Sequence, residues 1–149
     1  MLLTSKATIQ IQKPIEEVFE GIINPEIMTN YFISESTGRL ETDKEVYWKF
    51  PEFDDKFLVS KVKLKANEYV SFEWDPETVV KIELESQPDK STVVKVSEGG
   101  KEMNEDNLKW LISNTGGWAQ FLACMKAYLE YGVHLRKGAY EFMRNVEQP

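Results

Sequence analysis

Apolar positions recur every second residue through the middle of this chain. They recur every three or four residues in two places, once after the first strand and once toward the C-terminus. Ala7, Ile9 and Ile11 alternate with Lys6, Thr8, Gln10 and Gln12, the pattern of a half-buried strand. Pro14 then suits the first turn of a helix, because its φ is fixed and its missing N–H is not needed there. Ile15, Val18, Phe19 and Ile22 follow at i, i+3, i+4 and i+7, so one face is buried, and Glu16 and Glu17 lie at the positive end of the helix dipole. Asn24-Pro25 stops that helix, and Glu26 to Tyr31 predicts a second short one.

The middle reads as a meander of strands. Val46, Trp48 and Phe50 form one alternating set, Val70, Phe72 and Trp74 another, and Val80, Ile82 and Leu84 a third; Thr92, Val94 and Val96 close the series. Leu58, Val62 and Leu64 share a face, yet Phe57 and Val59 place apolar side chains on the other. Turn formers fill the gaps at Pro51–Asp55, Ala66–Glu68, Asp75–Glu77 and Gln87–Lys90, and such short connections imply antiparallel neighbours. Gly99-Gly100 is expected to end the meander, and Met103 to Ser113 reads as a short helix or an ordered loop.

A long amphipathic helix is predicted from Thr115 to Tyr131, capped by Asn114 or Thr115. At 100° per residue Trp118, Leu122, Met125 and Leu129 fall within roughly 60° of arc, with Phe121 and Gly132 on the flank. Gly138 is placed to kink or interrupt it, and the terminal VEQP is expected to fray. Strand, two short helices, about six strands and a long helix make an α+β fold. No repeat or linker divides the 149 residues, so one domain, 1–149, is expected.

A net charge of −7 argues against nucleic acid and anionic membranes as partners, and no apolar run is long enough to span a bilayer. A single cysteine, Cys124, and an N-terminus without a signal-peptide pattern point to a reducing, cytoplasmic setting.

The inventory of reactive side chains is short. His134 is the only histidine, and with Cys124 it makes no metal site of familiar spacing, so neither metal nor cofactor is expected. A Cys124–His134 dyad would have to span ten residues, about 15 Å of helix axis. Cys124 itself falls toward the back or flank of the apolar stripe. Gly99-Gly100 and Gly116-Gly117 sit where chain reversal would use glycine and match no phosphate-binding motif. Glu83 and Glu85 share an outward strand face, as do Lys61, Lys63 and Lys65. Tyr47 and Glu73 become polar contacts only if strand register turns them inward.

The aromatic set is the stronger lead. Tyr31, Phe32, Trp48, Phe50, Phe72, Trp74, Trp110 and Trp118 either fill a core or wall an apolar cavity in which indole N–H and phenol O–H groups offer a few polar contacts.

Three stretches carry a resemblance: PIEEVFEGIINPEIMTNYF, VSFEWDPE and TGGWAQFLACMKAYLEYG. In them Pro14, Val18, Phe19, Asn24-Pro25, Tyr31-Phe32, Trp74, Gly117-Trp118 and Tyr128-Leu129-Glu130 are similar to the START/Bet v 1-like helix-grip superfamily. Within it they resemble the group named for the C-terminal domain of the activator of the ninety-kilodalton heat-shock protein's ATPase. The resemblance implies a curved antiparallel sheet of about six or seven strands wrapped around a long C-terminal helix, with a cavity between them. Members bind hydrophobic small molecules, act as cyclases or hydrolases, or serve chaperones. The eukaryotic activator has a separate N-terminal domain for its main chaperone contact, and no part of these 149 residues resembles it.

The expected function is therefore non-enzymatic binding of a small hydrophobic or aromatic molecule. Its expected cavity wall is Tyr31, Phe32, Trp48, Phe50, Phe72, Trp74, Trp118, Leu122, Met125 and Leu129. A chaperone-associated or other partner-binding role is the alternative, and a cyclase- or hydrolase-type enzyme ranks third because no acid–base pair stands out. Monomer and homodimer are both open.

Overall fold

A computed structural model describes residues 1–146; of the VEQP tail expected to fray, Val146 instead ends a helix, and Glu147 to Pro149 lie outside the described residues. The first strand, β1 (Leu2–Ile11), leads into α1 (Ile15–Ile23) and α2 (Pro25–Met28). Asn24 separates the two helices and caps the second, its side chain accepting from the Glu26 N–H. Then come β2 (Glu35–Ser36), β3 (Val46–Lys49), β4 (Lys56–Lys65), β5 (Tyr69–Glu73), β6 (Val79–Ser86) and β7 (Thr92–Glu102). The chain closes with α3 (Glu105–Tyr131) and α4 (Phe142–Val146).

The seven strands form one curved antiparallel sheet in the order β1-β7-β6-β5-β4-β3-β2, with α3 lying against it at the β1 side. One cluster of buried apolar side chains joins the inner sheet face to α1 and α3. No helix among the described residues is long and apolar enough to cross a membrane.

Three local readings are corrected. The mixed apolar pattern around residues 57–64 is a β-bulge: pairing with β5 shifts between Ser60 and Lys63, and Lys61 takes a φ of 51°. The extra residue flips the alternation, so Val59 and Val62 both point inward while Leu58 is exposed.

Gly99-Gly100 does not end the meander but lies inside β7. A Cβ on Gly99 would stand 2.4 Å from Thr4 Oγ1, and Gly100, at φ 129°, would put one 2.5 Å from the Glu77 carbonyl oxygen. Gly99 leaves room for the Thr4 side chain and Gly100 for the Glu77 backbone, at the bulge where β1 shifts register between Leu3 and Thr4.

The long helix begins ten residues earlier than expected, at Glu105, with Asn104 as its cap and Asn114 and Thr115 in its interior. Gly116-Gly117 weakens the helical signal in the sequence, but neither glycine marks a turn. Gly132, at φ 67°, ends the helix in the left-handed conformation, well before Gly138.

Candidate functional site

A half-open cavity of about 280 Å³ lies between one face of α3, the loop after β3, Trp74 just beyond β5, and the segment that follows α3. Each boundary follows from local structure. The loop that leaves β3 delivers Phe50, Glu52 and Phe53; α3 presents Gly117, Trp118, Phe121 and Cys124. Gly132 turns the chain back, so that Arg136, Tyr140 and Met143 reach the same opening.

Aromatic rings make the walls. Phe32 packs edge-on against Phe121 at 4.7 Å between centroids and against Phe50 at 5.1 Å. Trp74 and Trp118 stack at 5.4 Å and 27°. A Cβ on Gly117 would meet nothing within 4 Å, so this position borders empty space.

Behind the tryptophans lies a buried carboxylate. Glu98 is 1% exposed and continues the inward-facing series Thr92, Val94 and Val96 along β7. Its Oε2 accepts from Trp74 Nε1 at 3.0 Å and Thr78 Oγ1 at 2.6 Å. Its Oε1 accepts from Trp118 Nε1 and Asn114 Nδ2, both at 3.0 Å. Ser5 Oγ in turn donates to Asn114 Oδ1 at 2.5 Å. Both carboxylate oxygens are thus filled by neutral donors, which hold the two indoles by their N–H edges and leave their faces to the cavity and the core.

The mouth carries a second buried carboxylate with a different partner. Arg136 donates from Nη2 to Glu52 Oε1 at 2.8 Å and from Nη1 to Oε2 at 3.1 Å, with side-chain exposures of 12% and 4%. The guanidinium also lies over the rings of Phe50 and Tyr140, at 5.3 and 4.7 Å from their centroids. Burial pushes the Cys124 thiol up from its ordinary value against the opposing pull of Arg136, and it pushes the Tyr140 hydroxyl up likewise. Both groups are therefore neutral near pH 7.

Of the residues expected on the cavity wall, Phe32, Phe50, Trp74 and Trp118 lie on it. Tyr31, Trp48, Phe72, Leu122 and Met125 are fully buried in the packed interior, and Leu129 packs against that core, touching the Gly21 position of α1. Tyr31 donates its hydroxyl to the Gly21 carbonyl oxygen at 2.8 Å, and burial raises its pKa. The reason for this division is angular. On the helical wheel the cavity side of α3 is centred near Phe121, with Cys124 beyond it, offset by about 90° from the stripe of Leu122, Met125 and Leu129. Cys124, expected on the back or flank, is buried and lines the cavity. His134 is exposed and does not line it. Tyr47 is exposed, and Glu73 pairs with Lys61 at 3.5 Å on the outer sheet face.

The sequence does not mark Glu52, Glu98, Arg136 or Tyr140 as site residues, and it marks Asn114 only as a helix cap. Glu98 alone had a readable signal there, as the next inward position after Thr92, Val94 and Val96. The contacts of Arg136 span 84 residues to Glu52 and follow no local pattern. Among the described residues no group of three or more His, Cys, Asp or Glu could hold a metal ion.

A family model described as "Activator of Hsp90 ATPase homolog 1-like protein" matches residues 12–130. Solved structures share the architecture. Protein SSP2350 from Staphylococcus saprophyticus is 28% identical, with a TM-score of 0.80 over 90% of this chain and 96% of that one. The Aha1 dimer from Colwellia psychrerythraea is 18% identical, with a TM-score of 0.75 over 87% of this chain and 98% of that one. DynU16, a putative protein in the dynemicin biosynthetic locus, is 19% identical, with a TM-score of 0.77 over 88% of this chain and 48% of that one. No curated protein matches this chain.

Proposed function

This chain belongs to the Activator of Hsp90 ATPase homolog 1-like family, and on that premise we propose that its half-open cavity binds a small aromatic or apolar molecule without chemical conversion. The observation that carries the reading is the cavity itself, about 280 Å³ of space walled by Phe32, Phe50, Trp74, Trp118 and Phe121 beside a core of buried apolar side chains. That volume equals roughly nine waters at about 30 Å³ each, which suits a ligand of one or two rings. A cavity this apolar favours a ligand over water because it offers water few partners. We take residues 1–149 as one domain, a reading supported by the single buried cluster.

Native mass spectrometry of the protein purified from its own host tests the proposal. The expected result is a bound small molecule that is lost on mild collisional activation. A bare chain, together with no thermal shift across a panel of one- and two-ring aromatics, would overturn it.

Family membership and the fold shared with the Aha1 dimer support a second reading, a chaperone-associated or self-associating module. Capture of a chaperone from lysate with a change in its ATPase rate would favour it, whereas absence of both would remove it.

A further inference from the structure

The proposed ligand site holds one charged pair, and that pair constrains which ligands it accepts. Glu52 and Arg136 are joined by two hydrogen bonds at the mouth. Every other lining side chain is neutral: phenyl, indole, thioether, amide, or a thiol and phenol kept protonated by burial. The two formal charges cancel across 2.8 Å, so the lining itself presents a dipole and no net charge, while Glu98 lies behind the tryptophans with both oxygens occupied. An anion approaching Arg136 meets Glu52 beside it, and a cation approaching Glu52 meets Arg136. Either ion would lose hydration without gaining a free counter-ion.

A neutral acceptor is treated differently. A guanidinium carries five N–H donors, and Glu52 accepts two of those of Arg136. The guanidinium lies over the rings of Phe50 and Tyr140, and Arg136 lines the cavity, so the N–H donors that Glu52 does not take are available at its edge. Tyr140 lines the same space.

From this geometry we propose that the Glu52–Arg136 pair is the polarity filter of the cavity: it selects neutral aromatic molecules bearing a hydrogen-bond acceptor such as a carbonyl oxygen, and excludes ions of either sign. The proposal rests on the ligand-binding reading above and names its ligand class. Arg136 supplies the donor, and Glu52 removes the charge that would otherwise attract anions.

Four probes of one ring system test it by calorimetric titration: methyl 2-naphthyl ketone, naphthalene, 2-naphthoate and 2-naphthylmethylammonium. The wild-type protein should bind the ketone tightest, by about tenfold or more over either ion, the equivalent of one desolvated charge-assisted contact. Glu52→Gln should move the preference to the carboxylate, and Arg136→Met should move it to the ammonium. The double variant E52Q/R136M should bind naphthalene and the ketone equally well. It carries no unpaired buried charge, so it keeps the test valid if a single variant fails to fold. Binding of all four probes with the same affinity, or tightest binding of an ion by the wild-type protein, would overturn the filter while leaving the ligand-binding reading intact. Absence of binding by every probe to every folded form would overturn both.

Discussion

The two sides of α3 use the same kinds of residue to opposite ends. On one side Leu122 and Met125 are fully buried against the sheet, and Leu129 closes on Gly21 of α1, so apolar side chains fill all the space. About 90° around the helix Phe121 and Cys124 are also buried, yet they border a cavity of about 280 Å³, together with Trp118 from the edge of the filled stripe. Hydrophobicity does not distinguish the sides. What does is the fixing of side chains by polar groups: Glu98 holds Trp74 and Trp118 by their N–H edges, Arg136 is held over Phe50 and Tyr140 by Glu52, and Gly117 contributes no side chain at all. Rings tethered in this way cannot collapse into the space they surround, whereas untethered aliphatic chains can and do.

The tether is the most damaging place to break that contrast. Glu98→Leu would leave two indole N–H groups, a hydroxyl and an amide without their acceptor, and it should cost about 4 kcal/mol. Chemical denaturation measures this loss, and the tryptophan emission spectrum should shift as both indoles are released. The filled side should be nearly as sensitive. Met125→Ala should lose about 3 kcal/mol because it opens a void in a packed core, whereas Met143→Ala, at the edge of an existing cavity, should lose less than about 1 kcal/mol. Equal losses for the two methionines would mean that the sides do not differ in packing.

Backbone changes should sharpen the contrast with smaller effects. A Cβ at Gly116 meets nothing within 4 Å, so Gly116→Ala should raise stability by about 0.5–1 kcal/mol through helix propensity alone. A thermal melt reads this directly, and a fall in melting temperature would reveal a contact the geometry does not show.

The smallest effect lies outside both sides. The Arg39 guanidinium hydrogen-bonded to Glu20 on α1 holds that carboxyl below its ordinary value of 4.5. The folded value is depressed, so the contribution of Glu20 is present above about pH 4.5 and is lost as pH falls through the folded value. Glu20→Gln should therefore lower stability slightly above about pH 4.5, pH 7 included, leave it unchanged at low pH, and so flatten the acid limb of the profile read by denaturation across pH.

The sequence patterns made the filled side readable and left the open side obscure. Period-two alternation located β5 and β6 with their inward residues, and the spacing of Ile15, Val18, Phe19 and Ile22 located α1, because burial repeats with backbone geometry. The same rule failed at β4, where a bulge at Lys61 shifts the alternation by one, and at the start of α3, where Gly116-Gly117 masks a continuous helix. The cavity was legible only through Phe32, Phe50, Trp74 and Trp118. Its remaining parts come from distant segments: Glu52 from the loop after β3, Glu98 from β7 and Arg136 from beyond α3. Their meeting depends on how the sheet curves around the helix, which no local period encodes. Arg136 follows no local pattern, and only the fold turns it into half of a buried pair.

The account stands or falls on the empty space beside Gly117. Titration calorimetry with methyl 2-naphthyl ketone, run on the wild-type protein and on Gly117→Leu, tests it most directly. Leucine is a better helix former than glycine and would project into the cavity, so the variant should fold at least as stably. The account predicts saturable one-to-one binding to the wild-type protein and loss of that binding in the variant, with unchanged circular dichroism. Equal binding by both proteins would place the ligand elsewhere, and no binding by the wild-type protein would contradict a ligand site in this cavity.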